Sequence, residues 1–215
     1  MKKLEFFDCE VSFGMPGFKR ETTPTTKDEI LSKFDRYGID SALIRYEYAA
    51  TGIHRVGNTE LIEQIKSEPR LSPIWVAVPH YTGEFPHPDA LVQLMKDNGV
   101  RALTLQAGSW TVGEWTCGEL FRMMEKHKIP LLLPLGRLSN GFTSLYEILC
   151  NHRDLRIILT AFGYSYLRDL YPLLEMFPNL YLCTSTLKTQ MGIEEIAEKF
   201  GAERLIFGSG MPGFS

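Results

Sequence analysis

The chain has 215 residues, 44% of them hydrophobic and 12% aromatic, with a formal net charge of −3. That length and apolar fraction fit one folded domain over 1–215 and exclude a disordered chain; the mildly acidic balance, with no basic stripe, excludes nucleic acid as a partner. No apolar run approaches the ~20 residues a membrane helix needs, so no membrane association is expected, and the N-terminus turns acidic too early for a signal peptide, which points to a cytoplasmic protein.

The first strand-like run, 4–9, belongs to LEFFDCEVSFG, which passes directly into Gly14. A helix follows, opened by a capping box of Thr26 and Glu29, carrying Ile30, Leu31 and Phe34 on its apolar face and closed by Gly38. Strand 41–46 comes next, then a helix with Asn58 as its start, strand 73–79, a helix opened by Asp89, and strand 101–106. Thr116 and Glu119 read as a second capping box before Leu120, Met123 and Met124. Strand 130–135, helix 143–152, strand 156–160, helix 165–176, strand 179–184, helix 192–200 with its stop at Gly201, and strand 204–208 complete the series. Short apolar strands alternating with helices imply parallel pairing through right-handed crossovers, and eight of them predict a closed (β/α)8 TIM-type barrel. Only seven helices are counted, so the barrel is expected to lack its eighth. The groove beside the first and seventh helices would then be covered by a second copy, which predicts a homo-oligomer, at its simplest a dimer.

Cysteines at 9, 117, 150 and 183 form no CxxC pair and read as reduced thiols, a disulfide being the alternative; Cys9 and Cys183 read as small core fillers. The pentapeptide GMPGF occurs at 14–18 and again at 210–214, either as shared turn chemistry or as paired loops at the barrel mouth.

Several stretches together resemble one family over nearly the whole length. FFDCEVSFG is similar to an opening strand of the form acid, His-x-His, Gly; FDRYGIDSALI to the passage from helix one to strand two; GVRALTLQAG and KIPLLLPLG to strands four and five; RIILTAFG to a strand six that ends in His; RLIFGSGMP to a closing GSD-x-P. In this order they resemble the amidohydrolase-related (amidohydrolase 2) proteins, TIM-barrel metal-dependent hydrolases and decarboxylases that include aminocarboxymuconate-semialdehyde decarboxylase. The resemblance assigns metal ligands to positions held here by Glu10, Ser12, Pro134, Ala161 and Gly210. Zinc requires three or four N, O or S donors, and this set offers one good one. No metal is expected at the usual position, and no other cofactor, since neither a P-loop nor a dinucleotide fingerprint occurs.

The residues at strand C-terminal ends carry what chemistry remains. Glu10 and Ser12 belong to strand one, Arg45 to strand two with Glu47 beyond it, His80 follows strand three, Gln106 ends strand four and Arg137 follows strand five; Thr160, Thr184 and Ser209 end strands six to eight. Two guanidiniums suit a small anionic molecule, with Glu10 and His80 as the acid–base pair and Ser12, Arg45, Gln106, Arg137, Thr184 and Ser209 lining the substrate. Against this stand plainer readings: a Glu10–Arg45 ion pair filling a vacated metal pocket, an idle His80 in a polar loop, and Gln106 as a core amide. His54, His80 and His87 share the upper loops, though their spacing matches no ligand motif, and His127 and His152 fall on the stabilising bottom face. The expected function is metal-independent hydrolysis or lyase chemistry on a small carboxylated compound. The alternatives are a non-catalytic barrel serving as a binding or scaffold module, and a metal hydrolase rebuilt on the upper-loop histidines.

Overall fold

In the computed structural model, which describes residues 4–15, 24–106 and 110–213, the apolar runs become parallel strands. They are β1 (Phe7–Phe13), β2 (Ser41–Tyr46), β3 (Leu71–Ala77), β4 (Ala102–Leu105), β5 (Leu131–Pro134), β6 (Ile157–Thr160), β7 (Leu180–Cys183) and β8 (Leu205–Ile206). Each pairs with the next in sequence order. The ring closes where Cys9 N–H donates to Phe207 O and Ser12 N–H to Met211 O, both at 2.9 Å. This is the (β/α)8 barrel that the alternation implies.

The helices are α1 (Lys27–Tyr37), α2 (Glu47–Thr51), α3 (His54–Ile65), α4 (Pro88–Asp97), α5 (Glu114–His127), α6 (Phe142–Asn151), α7 (Leu167–Met176) and α8 (Gly192–Phe200). The expected count of seven is therefore corrected to eight among the described residues, because the β2–β3 crossover holds two helices, α2 and α3, where the sequence suggests one. α1 starts on the predicted box, with Thr26 and Glu29 capping reciprocally, and ends on Gly38 at φ 73°, a left-handed conformation that glycine adopts without strain. Three predicted starts move, Asp89 giving way to His87 as the N-cap of α4. α5 begins on Gly113, and Thr116 lies inside its first turn, its hydroxyl accepting from Gly113 N–H at 3.1 Å. Asn58 lies within α3, not at its start.

Asn58 has another task. The β2–β3 ladder ends at Ile44–Pro73, which leaves the later backbone of β3 without a strand partner on that side. The buried Asn58 amide replaces one: its Nδ2 donates to Val76 O at 2.9 Å and its Oδ1 accepts from Val76 N–H at 3.0 Å. A buried peptide group left unpaired is costly, so this side chain holds α3 on the sheet.

Apolar side chains fill two layers. One lies between strands and helices, with Phe13, Phe34, Leu61, Leu103, Phe121 and Leu159 fully buried in it. The other plugs the barrel interior with Cys9, Leu43, Ile74, Ala102, Leu132, Ile158 and Cys183. The two cysteines are thus core residues as expected; all four thiols are free. Among the described residues no helix is long and apolar enough to cross a membrane. Of the GMPGF repeat, residues 16–18 and Phe214 lie outside the described residues.

Candidate active site at the barrel mouth

The register of β1 shifts between Asp8, opposite Ala42, and Val11, opposite Ile44, so β1 carries one extra residue. A bulge of this kind re-aims side chains. Strict alternation would send Glu10 to the helix side once Cys9 points inward. With the bulge, Cys9 sits in the interior layer and Glu10 also reaches the interior residue Cys183. Val11 and Phe13 then face the helix layer, and Ser12 faces the mouth.

Glu10 is held through one oxygen. Its Oε2 accepts from Ser185 Oγ at 2.5 Å and from Cys183 Sγ at 3.1 Å. Cys183 Sγ also lies 3.6 Å from Cys9 Sγ. Gly208 closes over this cluster: a Cβ there would stand 2.4 Å from Cys183 Sγ and 3.3 Å from Glu10 Cβ, so only glycine fits. Asp8, fully buried, ties the two ends of the barrel together. Its Oδ1 accepts from the backbone N–H of Glu10 and of Ser209, each at 3.0 Å, and its Oδ2 is buried without a partner among the described residues. Burial pushes the Asp8 carboxyl up, against the pull of those hydrogen bonds.

Arg45 pairs with Glu47, Nη2 to Oε1 at 2.6 Å; the plainer reading in which it pairs with Glu10 is corrected. The reason is local: β2 runs straight into α2, so the two side chains are two positions apart at one strand end. Burial raises the Glu47 carboxyl, but Arg45, the Ser12 hydroxyl and the charge of Arg137 outweigh it and hold Glu47 below its ordinary value. Arg45 Nε is buried with no partner among the described residues. Thr184 braces the last strand, its hydroxyl within 3.2 Å of Gly208 N and 3.4 Å of Gly208 O. Ser209 Oγ accepts from Met211 N–H at 3.1 Å. Gln106, just past β4, and Thr160 are buried.

Glu10 and Ser209 thus share Asp8, Thr184 holds the neighbouring Gly208, and Ser12 and Arg45 share Glu47, which also feels the charge of Arg137. His80 makes its contacts elsewhere, with Tyr81, His87 and Glu119 of α5. His54 bonds to Ala49 O. His152, on the bottom face as read, is buried between Glu114 and Glu125 at 2.7 Å each. Sequence reasoning missed Cys183 and Ser185 as partners of Glu10, because they lie more than 170 positions away and only ring closure joins them. Asp8 was visible as the acid that precedes the His-x-His positions.

Of the five positions that the resemblance assigns to metal ligands, Pro134, Ala161 and Gly210 carry no side-chain donor, the Ser12 hydroxyl bonds to Glu47 and Glu10 contributes one carboxylate, whereas zinc requires three or four donors.

Three solved structures share this fold. A protein assigned as an amidohydrolase from Staphylococcus aureus superposes with a TM-score of 0.71 at 12% identity, covering 98% of this chain and 89% of its own. The 5-carboxyvanillate decarboxylase of Sphingomonas paucimobilis gives 0.69 at 11%, covering 98% and 90%. The 4-oxalomesaconate hydratase of Rhodopseudomonas palustris gives 0.64 at 13%, covering 97% and 82%. No curated protein matches the sequence. The family model described as Amidohydrolase matches residues 35–215, and with a match over most of its length this chain belongs to the amidohydrolase family.

Proposed function

We propose that the barrel mouth binds a small carboxylated compound and turns it over by metal-independent acid–base chemistry, with Glu10 as the base. The observation that carries this reading is the geometry of Glu10: one oxygen is pinned by Ser185 and Cys183 beside a bulge in β1, and the reading assigns the other oxygen to substrate. Arg45 and Arg137 supply the carboxylate clamp, with Ser12, Gln106, Thr184 and Ser209 around it. The unpartnered Arg45 Nε supports that role, because a buried N–H without an acceptor favours any ligand that offers one. Among the structural neighbours, the decarboxylase of 5-carboxyvanillate acts on a compound that is carboxylated by name.

With a lactone acid, Glu10 takes a proton from a water, the water oxygen bonds to the lactone carbonyl carbon, the ring C–O bond breaks, and the proton passes from Glu10 to the departing alkoxide. His80, engaged with His87 and Glu119, is not needed as a separate acid. The test is a panel of carboxylated lactones and keto acids offered to chelator-treated protein. Turnover is expected in the wild type and a loss of about 100-fold or more in Glu10→Gln, whose amide oxygen still accepts from Ser185. Turnover that depends on added metal, or that survives Glu10→Gln, overturns the proposal. The Arg45–Glu47 pair favours a second reading, a binding module whose mouth charges are already matched. Binding without turnover, weakened by Arg45→Ala, would select it.

A further inference from the structure

Outside the barrel, the crossovers carrying α4 and α5 bring three ligating atoms to one point. His80 Nε2, on the turn after β3, lies 3.6 Å from Glu119 Oε2 of α5. His87 Nε2, at the N-cap of α4, lies 3.4 Å from the same oxygen. The two imidazoles meet edge to face with centroids 4.7 Å apart. The three atoms all fall within 4.8 Å of one another, the one such group of His, Cys, Asp or Glu among the described residues.

We propose that His80, His87 and Glu119 form a site for a divalent transition-metal ion of the zinc class. The separations are the first ground. Direct imidazole–carboxylate hydrogen bonds lie near 2.7–3.0 Å, and both contacts here are longer. Donors arranged tetrahedrally about zinc at 2.0–2.1 Å stand about 3.3–3.4 Å apart; both histidine–carboxylate separations already lie within a few tenths of an ångström of that, and rotation of the imidazoles would bring the two nitrogens, now within 4.8 Å, to it. The donor types are the second ground: two imidazoles and one carboxylate suit zinc, nickel or copper, whereas magnesium and calcium favour all-oxygen sites. Access is the third. His87 and Glu119 line an open groove of ≈ 640 Å³ between α4 and α5, which leaves a fourth position to water.

A neighbouring group completes the arrangement. His87 Nδ1 now accepts from Asp89 N–H at a long 3.3 Å and lies 3.4 Å from Asp89 Oδ2. An ion on Nε2 fixes the proton on Nδ1, which then donates to the Asp89 carboxylate, the carboxylate–histidine–metal relay common behind metal ligands. Arg122, one of the cations on the groove, is occupied by Glu114 at 2.7 Å. The ion would fasten the start of α4 to α5.

The full chain, stripped by a chelator, is titrated at neutral pH with Zn²⁺ by calorimetry and with Co²⁺ by visible absorption. One equivalent should bind, with a raised melting temperature, none from Mg²⁺, and cobalt d–d bands without thiolate charge transfer. His87→Ala and Glu119→Gln should each weaken binding by about tenfold or more. No binding by the folded wild type, unchanged affinity in both variants, or thiolate bands from the four cysteines overturns the proposal. The readout is binding alone, so its outcome is separate from that of the activity proposed for the mouth.

Discussion

Replacing Gly208 with alanine places a methyl 2.4 Å from Cys183 Sγ and 3.2 Å from Cys9 Sγ. Ordinary contact begins near 3.4 Å, so about 1 Å of overlap must be relieved. Two routes exist. The Cys183 sulfur can rotate away, losing its contacts to Glu10 at 3.1 Å and Ser185 at 3.3 Å. Or the backbone can shift, which Thr184 resists by holding both Gly208 N and Gly208 O. Overpacking of this kind costs about 1–3 kcal/mol. Urea unfolding of the wild type, Gly208→Ala, Cys183→Ala and the double variant forms a cycle in which the interaction between the two sites should reach about 1–3 kcal/mol, because removing the sulfur vacates the space the methyl needs. A single Gly208→Ala variant within about 0.5 kcal/mol of wild type, or additive effects in the double variant, would refute the geometry assigned to the mouth.

Glu47→Gln breaks a largely buried ion pair and should cost about 2 kcal/mol at pH 7, less than for a pair in full burial because both side chains retain some solvent contact. Since the folded carboxyl titrates below its ordinary 4.5, its contribution is complete above that pH and fades as pH falls through the lowered value; the urea midpoints of wild type and variant should converge in acid. A gap that stays constant down to the acid limb would show that Arg45 is not what holds Glu47. Asn58→Ala should cost about 2–4 kcal/mol, because it strands both polar groups of Val76 in the interior; native-state hydrogen exchange at the Val76 amide should accelerate with it, and an unchanged rate would remove the bridging role.

The barrel was legible because its signals are local. Each strand is a short apolar run between turn residues, and β2 falls on the predicted 41–46. Thr26, Glu29 and Gly38 delimit α1 as their capping chemistry requires. Thr116 misled because a threonine three residues before a glutamate fits a cap pattern, yet glycine at 113 took the cap and used that hydroxyl from inside the helix. Asn58 misled for a similar reason: its amide satisfies a neighbouring strand in preference to its own helix end. At the mouth, the strand-end rule named Glu10, Ser12, Arg45, Gln106, Arg137, Thr184 and Ser209 from their place in the sequence alone. It did not find the partners of Glu10, which depend on ring closure and a one-residue bulge that no periodicity announces. It also placed His80 by loop position alone, whereas its ring turns toward α5.

Asp8 accepts from Ser209 across 201 positions of chain, and Glu10 waits for Ser185 across 175. Synthesis from the ribosome therefore delivers the opening strand long before anything can flank it on that edge. A nascent polypeptide can lay down most of its staves in order, each beside the last, while the seam stays open. The Glu10 carboxylate gains its orientation only when Cys183 and Ser185 arrive, so ordering of the mouth belongs to the last steps of closing the ring.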